Sequence, residues 1–293
     1  MKKAVAVFTL ISMLAFTLVG CNGNDQHSSH STSNGEEVSK PIQYSNITDS
    51  IVQEELTQIL GDHGVSHERI ETLFTWVGDY NDRVTAPELP KGFVPMDSEL
   101  VDYSNLMLES KEQADGTYIP EVNCRLTAFL LMGDMVKTNG AYDNTDTYLM
   151  FDLEAIDTQE MYQMSEVDRK NFSTLFNWVP VSDNASLQEH IDQIQKAWTE
   201  REITIDGSQG LSLVTVYLHT TFDHARFVGH TGVLAQVEDG LMFIEKYGPN
   251  SPFQITVFEN RDQLKNYLLA RPDFYGDENE LEPIIMENGT VME

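Results

Sequence analysis

Two cysteines in 293 residues leave little room for disulfide chemistry. Cys21 closes an apolar leader, so the part of the chain that folds carries one thiol, Cys124, and no intramolecular disulfide is available to it. Cationic residues are scarce too. Lys and Arg number 18 against 47 Asp and Glu, for a formal charge of −29. A surface of that sign repels nucleic acid and anionic head groups and excludes them as partners. Acidity does not by itself identify a partner, because it also serves solubility. A monomer is expected. The apolar run from Ala4 to Val19 is too short and wrongly flanked for a membrane-spanning helix. No internal repeat is present.

The leader has the parts of a secretory signal: Lys2 and Lys3, a short apolar core, and small residues at a cleavage point. Its end, Leu18-Val19-Gly20-Cys21, resembles a bacterial lipobox. That resemblance implies cleavage before Cys21, acylation of its sulfur, and anchoring on the outer face of a membrane. Loss of Lys2 and Lys3 with the leader leaves 16 basic residues against 47 acidic ones. Residues 22–40 hold almost nothing apolar and read as a flexible tether. His27 and His30 in that stretch carry no specific role. The chain is thus expected to divide into a leader (1–20), a lipidated cysteine with its tether (21–40) and a single domain (41–293).

Within the domain, helical signals come first. Asn46–Ser50 opens a helix with Ile51, Leu56, Ile59 and Leu60 as its apolar face and Gly61 as its stop. Ser66 caps a second helix carrying Ile70, Leu73, Phe74, Trp76 and Val77. Residues 83–100, with Pro87, Pro90, Gly92 and Pro95, are largely irregular. A short element is expected at Leu106–Leu108 and another, of either type, at Tyr148–Leu153. Ser165 and Ser186 head helices to Trp178 and Trp198. Strand patterns follow at Leu211–His219, Phe227–Val237, Leu241–Tyr247 and Gln254–Phe258. A short helix from Asn260 or Arg261 to Leu269 and an edge strand at Ile284–Met286 complete the chain. Helices before an antiparallel meander make an α+β fold.

The chemistry concentrates on Cys124. It stands at the first turn of an apolar helix expected to run to Asn139-Gly140, with Pro120 ahead of it. Free N–H groups and the helix dipole there favour the thiolate. The bland alternative is a buried packing cysteine. A nucleophilic thiol needs an imidazole to take its proton and a third group to orient the imidazole. His230 and Glu245, on successive strands, are the candidates. A hairpin centred on Asp239-Gly240 places them on one side of the sheet, with Glu245 facing Leu234 and His230 facing Pro249. The offset of four residues is roughly 13 Å. Tyr118 and Asn123 are candidate oxyanion donors beside the Cys124 N–H. Arg125 is a candidate for a substrate carboxylate, or for pairing with an acid. His219 is a second candidate base. Glu245-Lys246 also reads as a solvated strand edge. His219, Asp223, His224 and His230 match no standard zinc spacing, so neither metal nor cofactor is expected.

A helix headed by cysteine, a later strand beginning His230-Thr231-Gly232-Val233, then a hairpin and a strand ending in a polar residue resembles the papain-like fold. More narrowly it is similar to the NlpC-type cell-wall peptidases and amidases. By that resemblance Cys124 is the nucleophile, His230 the base and Glu245 the orienting residue. Glu245 stands where those enzymes usually carry His, Asn or Gln, and Asn123-Cys124-Arg125 differs from their signature. As a whole, the chain resembles an uncharacterised family of bacterial lipoproteins, a domain of unknown function. That resemblance rests on Asn123-Cys124-Arg125, Gly229–Leu234, Phe243–Lys246 and Ile285–Asn288. The implied function is a membrane-anchored cysteine hydrolase acting on a peptide or cell-wall amide. The alternative is a surface binding or assembly lipoprotein on the same fold.

Overall fold

The computed structural model describes residues 40–112 and 116–292. The leader, Cys21 and the tether up to residue 39 lie outside the described residues. Side-chain caps start six of the seven α-helices among the described residues. Asp49 caps α1 (Ser50–Asp62), and Ser66 caps α2 (His67–Asp82). β1 (Gln43–Ser45) precedes them, and β2 (Val84–Ala86), β3 (Val94–Pro95) and β4 (Met107–Leu108) interrupt the irregular stretch that follows. Asn123 caps α3 (Cys124–Met132), which runs on through a 3-10 turn to β5 (Val136–Lys137). α4 is Met150–Thr158, so the ambiguous element at 148–153 is the start of a helix. Ser165 caps α5 (Glu166–Phe176), ahead of β6 (Val179–Pro180). A capping box of Ser186 and Glu189 starts α6 (Leu187–Glu200), and β7 (Thr204–Ile205) follows. The long strands are β8 (Leu211–Thr220), β9 (Ala225–Val237), β10 (Gly240–Lys246) and β11 (Phe253–Phe258). Asn260 caps α7 (Arg261–Leu269), and β12 (Ile284–Glu287) and β13 (Thr290–Val291) close the chain.

One antiparallel sheet runs β13-β12-β8-β9-β10-β11-β1-β3, with β6 paired to the far end of β9. Both faces are covered. Apolar residues of α1, α2, α3, α5 and α6 pack with Val233, Ala235, Met242 and Ile244 on one side. Leu264, Tyr267 and Leu268 of α7 pack with Leu234, Leu241 and Phe243 on the other. Alternation along β10 and along β9 from His230 onward feeds the two cores in turn. The architecture is α+β with a large antiparallel sheet.

Several expectations need correction. Ile51 is 75 % exposed, and Val52, Leu56 and Leu60 form the buried stripe of α1. Gly61 lies inside that helix, and the chain turns at Gly64, which takes φ +84°. β12 is not an edge: it lies between β8 and β13. β1 and β3 join the sheet although the meander pattern gave no sign of them. α3 stops at Met132, well short of Asn139-Gly140. The reason is tertiary. Arg69 of α2 donates to the Leu130 carbonyl at 2.9 Å, and its guanidinium comes within 3.0 Å of the space a Gly133 side chain would need.

Candidate active site

The β9–β10 hairpin sets the site. Val237 pairs with Gly240, so the turn is Glu238-Asp239 and Glu245 faces Gly232 rather than Leu234. His230 is then two residues from the position opposite Glu245, roughly 7 Å along the strand instead of 13 Å. Gly240 closes that turn at φ +148°, a conformation that favours glycine, and it serves a second purpose. A Cβ on it would meet the Phe258 carbonyl oxygen at 2.3 Å, so its lack of a side chain serves the approach of β11. Gly232 is equally constrained, since a Cβ would meet Phe243 at 2.4 Å and the Ile244 carbonyl at 2.8 Å.

The partner strand adds a bulge. Val216 faces His230 and Tyr217 faces Val228, which leaves Gly229 as an extra residue on β9. Val228 thereby enters the helix-side core while His230 points to the α7 side. β9 also leaves β10 beyond Gly232 and meets β6 only at Arg226. The N-terminus of α3 occupies the interval. Arg125 Nη1 donates to the Val228 carbonyl at 2.8 Å, and the Cys124 Sγ lies 4.0 Å from the Gly229 carbonyl.

Cys124 is the first residue of α3, 8 % exposed, and its thiol feels the His230 ring. Its own N–H has no acceptor among the described residues, as expected for a first-turn amide. The His230 Nε2 is 2.6 Å from Glu245 Oε2, which leaves Nδ1 as the nitrogen for the thiol. Glu245 is fully buried, and its Oε1 accepts the Tyr267 hydroxyl at 2.6 Å. Arg271 Nη1 stands 3.5 Å from Oε2. Behind Tyr267 the bonding continues: Gln254 Nε2 donates to the Tyr267 oxygen (2.9 Å), Tyr103 donates to Gln254 Oε1 (2.7 Å), and Asn46 Nδ2 donates to the Tyr103 oxygen (2.7 Å).

The electrostatics pull the dyad toward an ion pair. Burial alone raises the Cys124 thiol, but the hydrogen bond and charge of His230, helped by Arg125, outweigh it and hold the thiol below its ordinary value. Burial alone lowers His230, but its bonds to Cys124 and Glu245 outweigh this and raise it. Burial alone raises Glu245, and the bonds to His230 and the charge of Arg271 turn it downward. All three shifts favour thiolate, imidazolium and carboxylate together.

The other sequence candidates have different work. Asn123 spends its side chain as the helix cap, accepting the Leu126 N–H at 3.0 Å and donating to Asp152 at 2.7 Å. Arg125 forms a two-pronged pair with fully buried Asp152, at 3.0 and 2.6 Å. Its guanidinium is thus taken up by the pairing alternative and by main-chain carbonyls rather than left for a substrate. Tyr118 is 54 % exposed, opposite Glu112, and its hydroxyl joins none of the bonds that build the site. His219 accepts the Leu281 N–H through Nδ1 and turns its Nε2 to Asp183, which also holds His224. Asp223 receives the Tyr148 hydroxyl. Glu245-Lys246 is no solvated edge, for both are buried. Lys246 donates to the carbonyls of Gly248, Pro249 and Ser251 beneath the Tyr80 ring. Burial pulls its ammonium down to about 7. Tyr267, Arg271 and Asp152 were missed from sequence. The signal for the first two is a stripe at helical spacing, Leu264, Tyr267, Leu268, Arg271, with two polar members among the leucines.

Residues 43–292 match the family described as a domain of unknown function, DUF4300, and the chain belongs to it. No curated protein and no solved structure matches the chain.

Proposed function

We propose that this DUF4300 protein is a membrane-anchored thiol hydrolase of papain-like character that cleaves an amide in a peptide or cell-wall fragment. One observation carries the reading: the buried His230 ring, whose Nε2 lies 2.6 Å from the buried Glu245 carboxylate, acts on the Cys124 thiol at the first turn of α3 and pulls it below its ordinary value. His230 holds the thiol proton, and the Cys124 sulfur adds to the amide carbon. The Cys124 N–H is aimed to meet the oxyanion, supported by the positive end of α3. His230 returns the proton to the leaving amine. Water then attacks the thioester with His230 as its base, and Cys124 is released. Glu245 keeps the ring aligned and steadies its charge. The lipobox-like Leu18–Cys21 supplies the anchor in this reading, through a lipid on Cys21 at the outer face of the membrane.

A second reading, a surface binding or assembly lipoprotein without catalysis, draws on the enclosure of the dyad. Cys124 is 8 % and His230 2 % exposed. Alkylation separates the two. Iodoacetamide, followed at Cys124 by peptide mass, labels quickly at neutral pH if the thiolate pair operates and slowly if the thiol only packs. Rapid labelling that a His230→Ala change leaves untouched sinks the ion-pair reading. Radiolabelled palmitate incorporation, lost in a Cys21→Ser variant, tests the anchor.

A further inference from the structure

Arg271 follows α7 and is 4 % exposed. It touches both sides of the imidazole's surroundings. Nη1 lies 3.5 Å from Glu245 Oε2, the oxygen that binds His230. Nη2 donates to the Tyr247 carbonyl at 2.9 Å and to Asp273 at 2.8 Å, and Nε reaches the other Asp273 oxygen at 3.2 Å. The guanidinium also lies over two rings, 4.1 Å from the centre of Tyr247 and 4.5 Å from that of Phe274. The Phe274 ring in turn covers the His230 ring, with centroids 5.3 Å apart. The turn that carries it, Pro272–Phe274, is closed by the Phe274 N–H on the Arg271 carbonyl.

One side chain therefore grips the carboxylate that orients the imidazole, the strand end beside it and the turn that roofs it. A residue needed only for packing would have no use for a charge facing a catalytic carboxylate, and burying that charge is costly. We propose that Arg271 is a positioning residue of this site: it fixes the Glu245 carboxylate against His230 and clamps the Pro272–Phe274 turn over the ring. The proposal rests on the reading of Cys124, His230 and Glu245 as one unit. The groups that face the imidazole or this guanidinium are Cys124 from α3, Glu245 and Tyr247 from β10 and its end, Tyr267 from α7, and Asp273 from the turn. Arg271 acts against the imidazolium charge, and Asp273, on a side chain 58 % exposed, offsets it.

The experiment is an NMR titration of the His230 Cε1–H in the full chain, with four variants. Arg271→Gln is expected to move the midpoint upward by about one pH unit, the lower end of what one neighbouring charge does. Arg271→Lys, which keeps the charge, is expected to stay near the wild type. Asp273→Asn is expected to move the midpoint the other way. A purely structural role would lower the melting temperature and leave the midpoints in place. An unmoved Arg271→Gln midpoint, or an Arg271→Lys midpoint displaced as far, overturns the proposal. If Arg271→Gln fails to fold, the half-exposed Asp273→Asn site carries the test, and an unmoved midpoint there overturns it too. Failure of the underlying triad reading shows separately, as a His230 midpoint that Cys124→Ser leaves unchanged.

Discussion

Replacing Glu245 by glutamine keeps the shape of the side chain and removes its charge. The His230 Nε2 sits 2.6 Å from Oε2, with both groups buried. Charge centres about 4 Å apart interact by roughly 4 kcal/mol at an effective dielectric of ~20. Arg271, 3.5 Å from the same oxygen, already spends part of that carboxylate's field. Taking about half, ~2 kcal/mol, as the net support for the imidazolium corresponds to roughly a 30-fold loss of thiolate–imidazolium pairs at about 1.4 kcal/mol per factor of ten. The assay is the second-order rate of Cys124 alkylation by iodoacetamide across the pH range, read by peptide mass so that Cys21 does not contribute. At pH 6 the Glu245→Gln protein should react about 30-fold more slowly than the wild type. Well above the ordinary thiol range the two should converge, because any thiol is ionised there. The effect should also pass wholly through the ring: Glu245→Gln added to His230→Ala should cost nothing further. Equal rates at pH 6, or a slowing that persists unchanged at high pH, would refute the electrostatic argument and leave Glu245 a packing residue.

Three further outcomes follow from the geometry. Gly232→Ala drives a methyl to 2.4 Å from Phe243 and 2.8 Å from the Ile244 carbonyl; urea unfolding should show a loss of about 3 kcal/mol, and a neutral result would mean the hairpin is not packed as described. Arg125→Met strands Asp152, which is fully buried; about 3–5 kcal/mol should be lost, visible as a lower melting temperature that Arg125→Lys recovers in part. The pH dependence of stability should be a plateau falling at both ends. Glu245 is lowered from 4.5, so its contribution is complete above that value and disappears as pH falls through the folded pKa. His230 is raised from 6.5, so its contribution is complete below that value and disappears as pH rises through the folded pKa. Thermal melts from pH 2 to 10 that change in one direction only would contradict that assignment.

What the sequence made legible is what short-range chemistry decides. The caps at Ser66, Ser165, Ser186 and Asn260 depend on a side chain and an amide a few residues away. The start of α3 at Cys124 has the same origin. Its end at Met132 was hidden because the guanidinium that stops it comes from Arg69, 61 residues upstream of the Leu130 carbonyl it binds. The hairpin register was off by two residues for a related reason. Asp239-Gly240 reads as the centre of a tight turn, but Gly240 is the first strand residue after it, held at φ +148° and against the Phe258 carbonyl on β11. That error doubled the apparent separation of His230 and Glu245. The bulge at Gly229 lay equally beyond reach, since the partner strand creates it.

The hydrogen-bond chain behind the site has a direction. Reading from Asn46 through Tyr103, Gln254 and Tyr267, each donor points toward Glu245, and His230 points at it from the other side. The Gln254 amide is held in that sense because Tyr267 commits its one hydrogen to Glu245 and must accept from Nε2, which also donates to the Thr256 hydroxyl at 2.8 Å. Every arrow therefore ends on the carboxylate, and no member can turn round unless the last one surrenders its charge. Gln254→Glu would fit the same space almost atom for atom and still break the sequence. An ionised carboxylate there has no hydrogen to offer Tyr267, and the hydroxyl would face two acceptors with one proton. The core is specified here in hydrogens as well as in volumes, and a substitution that is silent in shape is not silent in polarity.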